Sequence, residues 1–345
     1  MIRAETKHGK LFKQLIHLFA EVTGAVGAAN SIGGGEDSDK DSQKTDILYI
    51  LKNGLYLQVT GHDKAVILHM SLDSSFWTRF DTNDTGEAQT TGIQLKKLDK
   101  LLNVFSSDNE SLKIICRQAE ATSQQSTALN DIIFQQAQPG GSSGSFVPTT
   151  KTVQYYTRPV HENLCEQKLD LSKGCTDWAI VLIVTDLHRQ REFVDTLLKA
   201  SQIDTAFTLS WSIQDRQQLL FHSFYNTSAA PADSKSPAAL AGPKGTESLP
   251  APLFTATLPF DCTDGLKLRT SKHRTAFHQS FSSQYIKPFL QFLQTAQAAQ
   301  AASSTTAVTA PSTLALVLSE GRPLCFQYEL PTKSGRLEFY LAPLL

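Results

Sequence analysis

Two stretches of the sequence place basic side chains on one helical face, where they would attract phosphate groups. In the first, Lys10, Lys13 and His17 recur at intervals of three and four residues, with apolar residues between them. In the second, the outward positions are also basic: Lys96, Lys97 and Lys100. Amines arranged in this way neutralise phosphates without reading a base sequence. The alternative interpretation is an ordinary solvated face, which many lysine-rich helices present.

The second half of the chain carries a more mixed set of charges. Its candidate phosphate-attracting residues are Arg189, Arg191, Lys199, Lys272, Arg274 and Lys287. Glu192 and Asp195 lie among the first three, so the outward face of this segment is less basic than that of the 95–105 segment. Most of the positive surface is therefore expected from the N-terminal half and from the basic stretch that precedes Lys287.

The sequence offers no arrangement of side chains that is typical of catalysis. The acidic group Glu36, Asp37, Asp39 and Asp41 lies in a Gly/Ser-rich stretch, where solvated chain is expected rather than a metal site. No nucleophile-elbow, zinc-protease, phosphate-loop or dinucleotide motif is present. We therefore predict no catalytic residue, no metal and no cofactor, and a protein that is not an enzyme.

Composition limits the class of protein further. The 345 residues carry a formal net charge of -1 and are 41% hydrophobic, so attraction to a polyanion must come from a local surface. No apolar run is long enough to span a membrane, and the first residues contain no signal-peptide core. Five scattered cysteines without a CxxC pair predict neither a disulfide framework nor a zinc site. An intracellular protein without a membrane partner is expected.

Helices and strands must position these side chains, and the pattern predicts an α+β chain. Helical spacing is found at 10–22, 95–105, 187–201 and 287–296, with Asp186 as the N-cap of the third segment and Pro288 in the first turn of the fourth. Hairpins are predicted at Asn53-Gly54, through positive φ angles, and at Lys333-Ser334-Gly335. Antiparallel strands are predicted at 46–61, 64–72, 111–118, 205–213, 219–226, 253–260, 313–321, 323–330 and 336–344.

The order of the elements predicts a duplication. Four stretches rich in Gly, Ser, Ala, Gln or Pro are interpreted as surface insertions, at 27–45, 119–145, 226–250 and 296–311. Without them, the order strand, helix, strands, helix, strands occurs twice. We expect an N-terminal domain over 1–152, a connector over 153–168 and a C-terminal domain over 169–345.

The closing segment Leu337–Pro343 (LEFYLAP) resembles the last strand of sliding clamps of the PCNA superfamily. The opening strand, followed at once by a basic helix, also fits this family. Within it, the chain is most similar to a subunit of the checkpoint clamp (nine-one-one complex). KNGLYLQVTGHDKAVILHMSLDSSFWTRFD, GIQLKKLDKLLNVFSS and REFVDTLLKAS resemble its Rad-one subunit. The Hus-one subunit is the alternative, because FLQFLQ and LEFYLAPLL resemble its C-terminus.

The resemblance implies a DNA clamp fold, with two similar domains, antiparallel sheets outside and four helices on the inner face. It implies a non-catalytic subunit of a heterotrimeric ring that encircles double-stranded DNA in the nucleus, with two other clamp subunits as partners. A clamp loader would open the ring, and checkpoint and repair proteins would be recruited to it at damaged sites. The alternatives are a homotrimeric replication clamp of the PCNA type and, further from the pattern, a 3'-5' exonuclease.

The resemblance also assigns roles to residues. Tyr340, Leu341, Ala342 and Pro343 would line a pocket for a partner peptide, the alternative being that they simply finish a sheet. Ring contacts are expected at the strands 111–118 and 205–214, taken as domain edges, the alternative being that one of them is an internal strand. The DNA-facing residues would be Lys10, Lys13, His17, Lys96, Lys97, Lys100, Arg189, Arg191, Lys199, Lys272, Arg274 and Lys287.

Overall fold

The computed structural model describes residues 1–24, 45–61, 64–82, 89–105, 111–118, 129–137, 150–158, 180–203, 205–212, 218–223, 254–259, 266–270, 276–303 and 312–344. Most of the predicted insertions lie outside these residues, as do Lys272 and Arg274. The prediction of an insertion over 119–145 was wrong at 129–137, which is a strand with a buried apolar centre. In the described part of the chain, no helix has the length and apolarity that a membrane crossing needs.

The described residues contain four α-helices, one for each predicted helical segment. They are α1 (Gly9–Gly24), α2 (Leu95–Leu102), α3 (Leu187–Ile203) and α4 (Ser283–Ser303). The predicted N-cap of α3 is confirmed, because the Arg189 backbone N–H donates to Asp186 Oδ1 at 2.9 Å. Helix α2 ends at Leu102, three residues before the predicted end, and the chain leaves it through a turn.

Helix α4 is longer than predicted at both ends. It begins at Ser283, so Pro288 lies inside the helix rather than in its first turn. It also continues to Ser303 through a segment rich in Ala and Gln, which was predicted to be an insertion from position 296. Ala and Gln are strong helix formers, so this composition favours continuation of a helix that is already packed on the core.

The strands form three antiparallel sheets. A five-stranded sheet contains β1 (Ile2–Thr6), β5 (Arg79–Asp81), β7 (Leu112–Gln118), β8 (Leu129–Ala137) and β9 (Thr150–Tyr156), in the order β5-β1-β7-β8-β9. A four-stranded sheet contains β11 (Ala206–Ser212), β12 (Gln218–Ser223), β13 (Phe254–Pro259) and β15 (Ala276–Ser282), in the order β13-β12-β11-β15.

The third sheet has nine strands and draws on both halves of the chain. From the first half come β2 (Asp46–Leu51), β3 (Gly54–Thr60), β4 (Val66–Leu72) and β6 (Gln89–Ile93). From the second half come β10 (Ile180–Val184), β14 (Leu266–Thr270), β16 (Thr313–Leu318), β17 (Leu324–Glu329) and β18 (Gly335–Leu341). The order is β14-β10-β16-β17-β18-β4-β3-β2-β6. The two halves therefore meet at the β18–β4 pair, which we call the seam.

The predicted duplication is present in the order of the elements. Each half runs as one strand, a helix, five strands, a second helix and three strands. Even the exits of the two halves correspond. After β9 the Arg158 backbone N–H donates to the Gly92 carbonyl at 2.9 Å, and after β18 the Leu344 N–H donates to the Ser280 carbonyl at 2.9 Å. The chain after β9 therefore pairs with β6, the outer strand of β4-β3-β2-β6. The chain after β18 pairs with β15, the outer strand of β13-β12-β11-β15.

The core is continuous across both halves. One cluster of buried apolar side chains includes residues of α1 and α2 as well as α3 and α4. The continuity follows from the seam, where Phe339 on β18 lies opposite Leu68 on β4, and both are fully buried. The described buried side chains of the two duplicated units therefore form one continuous cluster.

Two glycines differ in role from the sequence prediction. The hairpins at both sites are confirmed, but Gly54 and Gly335 begin β3 and β18 and do not have positive φ. The positive φ angles at the second hairpin belong to Thr332 and Lys333. What both positions require is close approach, because a Cβ would lie 1.8 Å from the Leu72 carbonyl oxygen at Gly54 and 2.4 Å from the Ser71 oxygen at Gly335.

We expect Gly54→Ala to lower the free energy of unfolding by about 2 kcal/mol, because the added methyl group must displace the end of β4. Urea unfolding followed by circular dichroism measures the change. Gly321→Ala is the matched control, because a Cβ at this position would meet no atom within 4 Å. There the substitution is opposed by the φ angle of +67° and not by a steric clash. Equal stability of Gly54→Ala and the native chain would contradict this account.

The strands predicted as domain edges are internal. Strand β7 lies between β1 and β8, and β11 lies between β12 and β15, so neither is available for a ring contact. The residues of a strand do not show whether it pairs on one side or on both, so each segment fits an internal strand as well as an edge. Among the described strands, the edges of the five- and four-stranded sheets are β5, β9, β13 and β15.

Candidate nucleic-acid interface

The four helices form one row against the sheets. Helix α2 contacts α1, α1 contacts α4, and α4 contacts α3, so the order along the row is α2, α1, α4, α3. Each helix turns its apolar stripe toward the shared core, with Leu98, Phe19, Leu197 and Leu293 all buried there. The polar stripes of all four helices therefore face away from the core on the same side.

On α1, the three predicted residues lie on the exposed stripe. Lys10 and His17 are exposed, and Lys13 is half-buried with its Nζ donating to the Phe105 carbonyl at 3.1 Å. Burial lowers the pKa of Lys13, and the nearby charge of Lys10 adds to this effect. The His17 Nδ1 lies 3.2 Å from Asp99 Oδ2, so this pair links α1 to α2.

On α2, all three predicted lysines are exposed, as expected. Lys97 and Lys100 project from the helix and form no ion pair with another described residue. Lys96 lies along the end of α1, where a Cβ at Gly24 would come within 2.7 Å of its Cε. A further amine reaches this region from β9, because Lys151 Nζ donates to the Val104 carbonyl. Lysines thus surround the C-terminal end of α2, where cations are favoured.

On α3, most of the predicted charges have partners. Arg189 Nη1 lies 3.0 Å from Glu192 Oε2, and Arg191 Nη2 donates to the Gln297 carbonyl of α4 at 2.9 Å. Asp195 accepts a hydrogen bond from Gln294 Nε2 at 3.0 Å. Lys199 is exposed. The guanidinium of Arg191 therefore links two helices, a role that its position in the sequence does not indicate.

Helix α4 presents an almost uncharged face. Lys287 is half-exposed and is the only charged residue of the helix. The exposed positions further along are Gln291, Gln294, Thr295, Ala298 and Ala299. This face can donate and accept hydrogen bonds, but it adds little positive potential.

A cleft of about 400 Å³ runs between α1 and α4. One wall carries Lys10, Lys13, His17, Glu21 and Asn103, and the other carries Pro288, Gln291, Phe292 and Thr295. The first wall thus has more basic than acidic side chains, and the second is uncharged. Its dimensions and chemistry suit the sugar-phosphate backbone of a nucleic acid better than an apolar ligand.

No group in the described residues resembles a metal or nucleophile site. Within the segments described above, no three His, Cys, Asp or Glu side chains lie close enough together to hold a metal ion. The thiols of Cys116 and Cys325 are buried, as the apolar surroundings of both residues in the sequence predicted. Burial raises the pKa of Cys116 to about 12, which leaves the thiol protonated and unreactive.

The four residues predicted to form a partner pocket do not share one surface. Leu341 is fully buried in the core, on the helix side of the sheet. Tyr340 points to the opposite face, where it packs with Val317 and Cys325. Ala342 and Pro343 are half-exposed, and Ala342 is held by a backbone hydrogen bond to Ala65 at 2.7 Å. A pocket remains a prediction for Tyr340, Ala342 and Pro343.

The outer face of the seam carries a polar cluster that the sequence pattern did not predict. The Glu338 carboxylate accepts a hydrogen bond from the Tyr340 hydroxyl at 2.9 Å and lies 3.2 Å from His69 Nδ1 and 2.7 Å from Arg336 Nη2. We call these four residues the seam cluster. His69 and Glu338 are directly opposite in register but 269 positions apart in the chain, so no local pattern could have paired them.

Comparison with known proteins places this architecture. No protein-family model matches the chain, and no curated protein sequence matches it either. Among solved structures, the proliferating cellular nuclear antigen of Entamoeba histolytica superposes with a TM-score of 0.61 at 14% sequence identity, covering 100% of this chain and 99% of that chain. The chain has the clamp fold.

The clamp fold accounts for the features described above. Its two similar domains correspond to the duplicated halves, with antiparallel sheets outside and the four helices on the inner face. The lysines of α1 and α2 lie on the helix face of this fold, and their contact with DNA stays a prediction. At this identity the likeness establishes the architecture, and the activity has to be argued from the residues of this chain.

Proposed function

We propose that the chain is a non-catalytic subunit of a ring that encircles double-stranded DNA. The observation that carries this proposal is the relation between the seam and the two open strand edges. Inside the chain, β18 of the second half pairs with β4 of the first. By the duplication, β9 corresponds to β18 and β13 corresponds to β4, and both are edges among the described strands.

The strand pairing found at the seam can therefore also form between two subunits. If β9 of one subunit pairs with β13 of the next, the contact repeats the seam in a head-to-tail manner, and such contacts generate a closed ring when the angle per subunit permits it.

The chemistry of the two edges suits this contact. Strand β9 carries one charged residue, Lys151, whose amine is already directed to the Val104 carbonyl. Strand β13, FTATLP, carries none. Backbone pairing between these edges therefore brings no like charges together.

The basic stripe supports DNA as the ligand of the inner face. Lysines that project from helices attract phosphates by long-range attraction and counterion release, and each contact is easily exchanged. Such contacts allow sliding, because they do not depend on the base sequence. Encirclement of the duplex can then keep the ring on DNA, although each ionic contact is weak.

We assign the chain to the checkpoint type of clamp, with two different subunits as neighbours and the nucleus as its location. Support comes from the resemblance of its sequence segments to the Rad-one subunit, with the Hus-one subunit as the alternative. A clamp loader and checkpoint or repair proteins would be further partners. A homotrimeric replication clamp is the second candidate, because the edges of β9 and β13 bring no like charges together and would also accept a second copy of this chain.

Light scattering on the purified chain separates these two candidates. We expect the chain alone to have the mass of a monomer, 37.9 kDa, and to enter a larger species only with co-purified companions. A species of three times this mass without companions would identify the homotrimeric clamp instead.

The assembled ring is expected to stay on a closed circular plasmid in high salt and to be lost when the plasmid is cut once. A topological link survives screening of the charges but cannot survive a free DNA end. Gel filtration of the complex before and after digestion measures the effect. Equal retention on both forms of the plasmid would contradict encirclement.

A further inference from the structure

The positive charge of the inner face is unevenly distributed along the helix row. In the first half, Lys10, Lys97 and Lys100 are exposed, and none of the three forms an ion pair with another described residue. The acidic residues of α1 and α2 are Glu21, which lines the cleft between α1 and α4, and Asp99, which lies beside His17. The N-terminal half thus offers amines whose charge is available to a ligand.

In the second half, the cations of the described helices are mixed with acidic residues on α3 and are few on α4. Arg189 is paired with Glu192, and Arg191 is held by the Gln297 carbonyl. Asp195 adds a negative charge to the same face. Beyond Lys287, the exposed face of α4 has no charge at all. Among the described residues of α3 and α4, Lys199 and Lys287 are the two lysines without an ion pair to another described residue.

We propose that the DNA duplex lies off-centre within this subunit, with its backbone over α1 and α2 and away from α3 and α4. The inference rests on the proposed function and adds to it which helices of the inner face contact the DNA backbone. A phosphate backbone is attracted to unpaired cations, and among the described helices these lie mainly on the α2–α1 side of the row. The clamp fold alone does not dictate this, because the duplicated halves have the same helices in the same places.

The cleft between α1 and α4 marks the border of this track. Its basic wall belongs to α1, and its neutral wall offers Gln291 and Thr295. The Thr295 hydroxyl donates to the Gln291 carbonyl within its own helix at 2.9 Å, so it is a poor donor to a ligand. A backbone strand that enters the cleft would therefore take its ionic contacts from α1.

Two variants with equal loss of charge test the proposal in the assembled ring. The first is Lys10→Gln/Lys97→Gln/Lys100→Gln, and the second is Arg189→Gln/Lys199→Gln/Lys287→Gln. The measurement is the salt dependence of binding to a nonspecific DNA duplex. All six positions lie at the surface or half-exposed, and circular dichroism melting confirms that both variants fold.

We expect the first variant to reduce the salt slope by about 2 to 3 for each altered subunit that touches the duplex, because each phosphate contact contributes about 0.9. The second should change the slope by less than about 1. Equal changes, or a larger change in the second variant, would overturn the off-centre track. If neither variant changes DNA binding, the proposed function itself fails, so the two failures are distinguishable.

Discussion

Phe339→Ala is expected to lower the free energy of unfolding by about 3 to 5 kcal/mol, the range for removing a fully buried aromatic ring from a core. The Phe339 ring stacks on Phe289 of α4, with centroids 4.7 Å apart and planes within 16°, and lies 6.3 Å from the ring of Phe326. Across the seam it faces Leu68. The Phe339 side chain therefore packs against helix α4, against β17 of its own half and against β4 of the other half.

Urea unfolding of the purified chain, followed by circular dichroism, measures this loss. Tyr156→Ala is the matched control, because it removes an aromatic ring of similar size that is 72% exposed. The control should change the stability by less than about 0.5 kcal/mol. Similar midpoints for Phe339→Ala and the control would show that the seam is not a main source of stability.

Glu338→Ala is expected to cost about 3 kcal/mol, because it leaves the rest of the seam cluster without its acceptor. The carboxylate is buried and serves the Tyr340 hydroxyl, the His69 ring and the Arg336 guanidinium at once. The estimate is at the low end for a broken buried pair, since Arg336 is half-exposed and recovers part of its hydration.

The same cluster predicts how stability depends on pH. Burial alone would raise the pKa of Glu338, but the hydrogen bond from His69, the charge of Arg336 and the hydrogen bond from Tyr340 outweigh it, so the pKa is lowered. A carboxyl whose pKa is lower in the folded state stabilises the protein above its unfolded pKa. This contribution is lost as the pH falls through the folded pKa.

Unfolding measured between pH 7 and pH 3 tests this sign. The stability difference between the native chain and Glu338→Ala should be largest near neutral pH and should shrink in acid, below the ordinary glutamate range. Glu320→Ala, at an exposed position, is the control and should run parallel to the native chain. A difference that grows in acid would mean that the seam cluster holds Glu338 in its protonated form.

The sequence predicted those features that depend on local periodicity. The apolar stripes of α1 and α2 and the alternation in β2, β3 and β18 place the core side chains where the structure has them, and the order of the elements revealed the duplication. Features set by distant contacts were missed or wrong. The choice of β7 and β11 as edges failed because strand order within a sheet is not encoded in the strand itself.

The candidate interface shows the same limit. The exposure of Lys97 and Lys100 follows from the helical stripe, whereas the engagement of Arg191 with the Gln297 carbonyl depends on how α3 packs on α4. The continuation of α4 beyond Ala296 was missed because an Ala- and Gln-rich segment suits both a helix and an unstructured insertion, and packing decides between them.

Two backbone hydrogen bonds, from Arg158 to Gly92 on β6 and from Leu344 to Ser280 on β15, affect self-association. Unpaired strand edges can pair with other molecules and form fibres, and each of these hydrogen bonds covers part of one edge. Among the remaining described edges, β5 is only three residues long, and β14 bears the exposed cations Lys267 and Arg269. Of the described edges, β9 and β13 are then left to pair, and head-to-tail pairing of two such edges closes into a ring when the angle per subunit permits it.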